Sequence, residues 1–274
     1  MKLFSHLSVL SLLVLSVACG GGGGNSSSRK YVKLEPEKIQ YVMDNQYMEC
    51  GAIGGGSCPK GVVRLWTINP DDAERTSVCS GFMVGPTTMV TNHHCIENQN
   101  ECNNTHLAIY NGTPTNYIKS KCKTVTRTEQ DYARATDPRR RIDYTVIEIE
   151  DRFEGTTFDL ASARAEVGDD VTAWVVDHTG LDLPDDEFNF FDSRITQFNC
   201  SVESTSNTAS LVLRRCPVII GNSGSPAVNA AGKIIGVIWG ATDAKVSSQV
   251  SLYVRRLGPG KAAVTEMDAF ADHI

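Results

Sequence analysis

From residue 62 onward the chain alternates between short apolar runs and polar stretches bearing Gly, Pro, Asn or Ser. The runs cover residues 62–68, 78–84, 88–91, 107–110, 143–149, 171–176, 210–213, 227–228, 233–239 and 252–254. They are rich in Val, Ile, Thr and aromatic residues, the pattern of strands separated by turns, and predict an antiparallel all-β domain. Several, such as Ile234-Ile235-Gly236-Val237-Ile238-Trp239, are apolar at consecutive positions and so on both faces. Strands of a small closed barrel read this way when other elements cover their outer side. Only the end, from Glu266 to Ile274 after Gly258-Pro259-Gly260, carries a helical period, and it predicts a short packing helix.

Ahead of the strands the pattern changes. Lys2, an apolar run from Leu7 to Val17 and small residues before Cys19 have the anatomy of an export signal over residues 1–18, too short for a spanning helix. Leu15-Ser16-Val17-Ala18-Cys19-Gly20 resembles a bacterial lipoprotein signal, which implies that Cys19 carries a lipid; cleavage nearby with loss of Cys19 is the other reading. Residues 19–30 read as a Gly/Ser tether, and its nine residues 20–28 have a flexible reach on the order of 15–20 Å. Residues 31–58 are polar and mixed, and are expected to wrap as a leader onto a domain spanning residues 59–274. The expected location is the outer membrane, the periplasm or the medium.

Composition narrows the partners. With 274 residues and 41% hydrophobic content the chain can bury a sizeable core, and a monomer is expected. A net charge of −6 gives no electrostatic reason to expect nucleic acid. Any membrane contact is expected through the lipid alone. Nine cysteines, with Cys19 set aside, leave an even number, as disulfides in an oxidising compartment require. Proximity pairs Cys50 with Cys58, Cys102 with Cys122 and Cys200 with Cys216, although many other connectivities are open. There is no Cys-x-x-Cys and no His-Glu-x-x-His, so neither a metal nor another cofactor is expected.

The chemistry gathers at Gly221-Asn222-Ser223-Gly224-Ser225-Pro226. A Ser between glycines can sit on a tight turn that a substrate approaches closely, with the Gly221 and Ser223 amides turned toward a developing oxyanion. An ordinary turn between strands would use the same residue types. A serine hydroxyl also needs a base and a carboxylate to orient that base. Thr91-Asn92-His93-His94-Cys95 offers two histidines, and Asp143 heads an apolar run, whereas Asp131 and Asp137 lie in polar text suited to turns and His178 lies in a turn-like Asp-His-Thr-Gly. The Gly-x-Ser-x-Gly elbow of α/β-hydrolases has Ser225 at its fifth position here and needs the order Ser, acid, His. The order here is His, Asp, Ser.

Those motifs resemble the trypsin/chymotrypsin-like serine peptidases. The Ser loop is similar to that family's Gly-x-Ser-Gly-x-Pro, Asp143 opens a strand resembling its Asp-x-Ala-Leu-x-x-Leu, and His94-Cys95 resembles its His-Cys. The resemblance implies two six-stranded antiparallel β-barrels with a short C-terminal helix, a His94–Asp143–Ser223 triad, an oxyanion hole from Gly221 and Ser223, and a Cys79–Cys95 disulfide. It places Pro217, Ile238, Trp239 and Gly240 around the substrate pocket, where Val218, Ile219 and Ile220 beside Pro217 favour an apolar or small side chain. Asn222 before the nucleophile resembles the bacterial glutamyl-endopeptidase (V8-like) branch. In that branch a His precedes the Trp-Gly of the pocket wall, where this chain has Ile238. The implied activity is hydrolysis of peptide bonds in a protein or peptide substrate through an acyl-enzyme. The alternatives are a silent pseudo-peptidase that binds a peptide or protein in the same cleft, or a surface scaffold.

Overall fold

The structure is a computed structural model that describes residues 32–33, 49–50, 59–113, 116–131, 142–177, 194–206, 209–218, 221–241 and 260–274. The signal, Cys19, the tether, most of the leader, the Cys50–Cys58 pairing, Asp137, His178 and the run at 252–254 lie outside the described residues.

Strands β1 (Val32–Lys33), β2 (Glu49–Cys50), β3 (Lys60–Asn69), β4 (Asp72–Met83), β5 (Thr88–Thr91), β6 (Thr105–Thr113), β7 (Asn116–Asp131) and β8 (Ile142–Ile149) precede β9 (Asp170–Asp177), β10 (Arg194–Thr205), β11 (Ser210–Arg214), β12 (Pro226–Asn229), β13 (Ile234–Ala241) and β14 (Lys261–Glu266). Six of them close one antiparallel barrel in the order β4-β3-β6-β7-β8-β5, with β5 returning to β4. Six more close a second in the order β11-β14-β13-β12-β9-β10, with β10 returning to β11. The fold is therefore two six-stranded antiparallel barrels of the chymotrypsin-like kind. Outside the barrels, β1 pairs with β4 of the first and β2 lies parallel to β10 of the second.

The double-faced apolar runs follow from this arrangement. On β3, Val63 and Leu65 point into the first barrel with Met83, Met89, Ile109 and Ile147. Val62 points the other way, into a layer with Ala108, Tyr110, Val176 and Ile195, the last two from the second barrel. An alternation that would leave one face wet in an open sheet is buried on both sides here, because the barrels pack against each other.

Two long strands lay outside the apolar runs. Along β7, Lys119, Lys121 and Lys123 alternate with Ser120 and Cys122, exposed against buried. In β10, Phe198, Cys200 and Val202 face the core while Gln197 and Asn199 face solvent. The one α-helix among the described residues, α1 (Gln99–Asn103), is capped by Asn98 Oδ1, which accepts the Glu101 N–H at 3.1 Å. The C-terminal stretch read as a short helix winds as two 3-10 turns, Met267–Ala269 and Ala271–His273. So few residues favour the tighter i→i+3 bonds, such as Phe270 N–H to Met267 O at 3.0 Å.

Disulfides join Cys79 to Cys95, Cys102 to Cys122 and Cys200 to Cys216. Such bonds persist in oxidising, extracytoplasmic compartments. No helix among the described residues is long and apolar enough to cross a membrane.

Candidate active site

The turn after β5 carries the two histidines. Its form is set by Asn92, whose carbonyl accepts the N–H groups of Cys95 and Ile96, both at 3.2 Å, while its side-chain amide donates to Asp143 O at 2.7 Å. Asp143, second residue of β8, is fully buried. Its Oδ1 accepts the main-chain N–H of His94 at 3.2 Å, and its Oδ2 lies 2.6 Å from His94 Nδ1. A buried carboxylate there holds Nδ1 as the donor and leaves Nε2 free to act as a base. The imidazole is 34% exposed, so the pair joins a buried acid to a ring that reaches solvent. His93 turns the other way, its Nδ1 2.7 Å from Thr128 Oγ1 on β7. Asp131 sits at the far end of β7, opposite Ile142.

The Ser223 loop joins β11 to β12 of the second barrel and reaches across to β4 of the first. Gly221 and Gly224 both have φ of +89°, in the left-handed region. A Cβ at Gly224 would fall 1.8 Å from Ser80 O, so no other residue fits. Ser80, in β4, donates its N–H to Ser223 O at 2.7 Å and its hydroxyl to Gly221 O at 3.1 Å. Asn222 reaches back with its side-chain amide to Val176 O at 2.7 Å. Gly224 N–H donates to Ile238 O at 2.8 Å and Ser225 N–H to Asn222 O at 3.1 Å. The Gly221 and Ser223 N–H groups, by contrast, donate to no protein acceptor among the described residues. The loop lies beside the histidine turn, with Ser223 O 3.9 Å from Cys95 Sγ. No hydrogen bond joins Ser223 Oγ to His94 in this structure; such contacts are commonly long before substrate binds.

Residues 79–237, more than half of the chain, match the profile described as a trypsin-like peptidase domain. The chain belongs to that family. No curated protein matches its sequence. Among solved structures, it is similar to a serine endoprotease from Yersinia pestis, at 16% identity over 78% of this chain and 61% of that one, with a TM-score of 0.51. It is also similar to an inactivated protease paralogue of the scabies mite, at 13% identity over 77% and 89%, with a TM-score of 0.53. At these identities the likeness is one of fold.

In this trypsin-like peptidase the residues expected around the pocket separate into two groups. Ile238 is fully buried in the core of the second barrel and Trp239 nearly so, and it is Ile238's main chain that meets the Ser loop, its N–H donating to Ser225 O at 2.9 Å. A Cβ on Gly240 would meet none of the described residues within 4 Å, so that strand position is open among them. Pro217 is backed by Gly260, where a Cβ would come within 2.4 Å of Pro217 Cα, and Cys216 N–H donates to Gly260 O at 2.7 Å. Gly260 was not among the expected pocket residues, although the Gly-Pro-Gly that contains it was visible. Asn92, Ser80 and Thr265 were missed as well. The only His/Cys grouping among the described residues compact enough for a metal is Cys79, His94 and Cys95, whose two sulfurs are bonded to each other.

Proposed function

We propose that this trypsin-like peptidase is a serine endopeptidase whose triad is His94, Asp143 and Ser223. The reading is carried by one juxtaposition: the His94–Asp143 pair stands beside a loop in which Gly224 and Ser225 donate their N–H groups to protein acceptors while Gly221 and Ser223 keep theirs free. Ser223 Oγ attacks the scissile carbonyl carbon and His94 Nε2 takes its proton. The carbonyl oxygen, now an oxyanion, is met by the Gly221 and Ser223 N–H groups. Collapse breaks the C–N bond, the amine leaves with the proton from His94, and an ester to Ser223 remains. Water attacks the ester carbon with His94 again as base, and the C–Oγ bond breaks as His94 returns that proton to Ser223 Oγ, releasing the acid. Asp143 orients the imidazole and stabilises its protonated form without accepting the proton. The sequence requires no cofactor.

Asn222 supports kinship with the V8-like branch, and Pro217 and Val218, with Gly240 left open among the described residues, support a P1 residue that is apolar or small. The three disulfides and the export signal support an extracytoplasmic site of action, with Cys19 as the lipid anchor. The test is labelling of the full chain with a fluorophosphonate, with the labelled peptide located by mass spectrometry. Label on Ser223 that vanishes in Ser223→Ala and His94→Ala is the expected result; peptide turnover that persists in Ser223→Ala would sink the assignment.

A further inference from the structure

Ser80 stands on the side of β4 opposite the first barrel's core. Cys79, before it, packs in that core, while Ser80 itself is fully buried against the second barrel. Its N–H takes the carbonyl of Ser223 at 2.7 Å, its hydroxyl takes the carbonyl of Gly221 at 3.1 Å, and its own carbonyl accepts the Thr91 hydroxyl at 2.7 Å. The two residues whose N–H groups stay free are thus both anchored, on their carbonyl side, to this one residue of the other barrel.

Gly221 has no side chain to restrict its torsions, and its φ of +89° is one that glycine adopts about as readily as negative values. The direction of its N–H therefore depends on external ties. The described tie on its carbonyl is a neutral hydrogen bond from a buried hydroxyl, and both residues are buried, so water is poorly placed to replace the partner. We propose that Ser80 is a positioning residue of the oxyanion hole: its hydroxyl holds Gly221, as its N–H holds Ser223, so that both free amides aim at one point when substrate arrives. The proposal rests on the Ser223 mechanism above.

Ser80→Ala deletes the hydroxyl and keeps the main-chain bond to Ser223. Loss of an oxyanion-hole donor costs on the order of a hundredfold or more in kcat, and a donor left in place but loosely held should cost about tenfold. The experiment compares full-length wild type, Ser80→Ala and Ser80→Thr. It uses a fluorogenic peptide selected from a library by the wild type, the aldehyde of that peptide, and its free acid. The aldehyde forms a tetrahedral adduct whose oxygen occupies the hole; the acid binds as a product does.

The expected result for Ser80→Ala is a kcat about tenfold lower with KM within about twofold, aldehyde affinity weakened in step with kcat, and affinity for the acid unchanged. Ser80→Thr, which keeps the hydroxyl, should recover kcat to within about twofold of wild type. Unchanged kcat and aldehyde affinity in a folded Ser80→Ala would overturn the proposal, as would parallel loss of aldehyde and acid affinity, which would mark general loosening. Fluorophosphonate labelling of the same wild-type sample separates the two levels. Label on Ser223 with no effect of Ser80→Ala removes the role of Ser80 alone, and a wild type without label at Ser223 removes the mechanism and the proposal together.

Discussion

Thr265 Oγ1 accepts the main-chain N–H of Asp143 at 2.9 Å, so the acid of the first barrel is held by a hydroxyl on β14 of the second. Both residues are fully buried. Thr265→Val preserves shape but leaves that N–H without its acceptor, at a cost of about 1–3 kcal/mol. The melting temperature should fall accordingly, kcat should fall more than KM changes, and Thr265→Ser should restore both. A Thr265→Val protein with wild-type melting and kcat would show that the inter-barrel bond does not support the acid.

Asp143→Asn tests the acid more directly. The amide oxygen can still accept the His94 main-chain N–H, so the turn should keep its form. The ring, however, loses the carboxylate that holds Nδ1 as donor and stabilises the imidazolium. A fall in kcat on the order of ten-thousand-fold is expected with little change in melting temperature, read by peptide turnover and by the rate of fluorophosphonate labelling. A modest, tenfold loss would assign the orienting role elsewhere.

The legible part of this protein was the part written locally. Runs such as 62–68 and 233–239 announce strands because consecutive residues are apolar, and the Gly221–Pro226 loop announces itself by composition. The 16 residues of β7 do not, because lysines occupy its exposed positions and dilute the apolar signal. In β10 the signal is alternation, from Gln197 to Glu203, rather than a run. The groups that hold the site were hidden for a different reason. Ser80, Asn92 and Thr265 bond to partners 141, 51 and 122 residues away in sequence, and a buried hydroxyl or amide acquires its role only when both barrels close. His94 and His93 show the same division. Both are visible in the sequence, but the 2.6 Å contact with Asp143 is a property of the fold.

Cys200–Cys216 ties β10 to the segment that leads to Pro217, spanning 16 residues of sequence, and Cys216 N–H is bonded to Gly260. Replacing both cysteines by Ala should destabilise the chain by roughly 3 kcal/mol through the freed unfolded state. Because Cys216 directly precedes Pro217 and follows the end of β11 that pairs with Lys261, while Thr265, which holds Asp143, pairs with the other end, KM for a peptide should rise while the fluorophosphonate labelling rate stays close to wild type. Equal losses in both would place the bridge's influence at the proposed triad.

Glu266, the last residue of β14, is 2% exposed, with Arg164 against one carboxylate oxygen and the other oxygen, Oε1, buried without a hydrogen-bond partner. Asp268 shares the same arginine at 3.4 Å. Burial is the larger influence and holds the Glu266 carboxyl above the usual carboxylate range, although Arg164 pulls the other way. The folded chain therefore binds this proton more tightly than the unfolded chain does. The stability it contributes is fully present below the unfolded value, about 4.3, and is lost as pH rises through the raised folded one. Glu266→Gln removes the titration. Melting temperatures of wild type and Glu266→Gln measured across roughly pH 4 to 7 should differ by an amount that moves in the variant's favour as pH rises over the lower part of that range. Parallel curves would mean that the carboxyl titrates alike in both states, and that Arg164 offsets the burial in full.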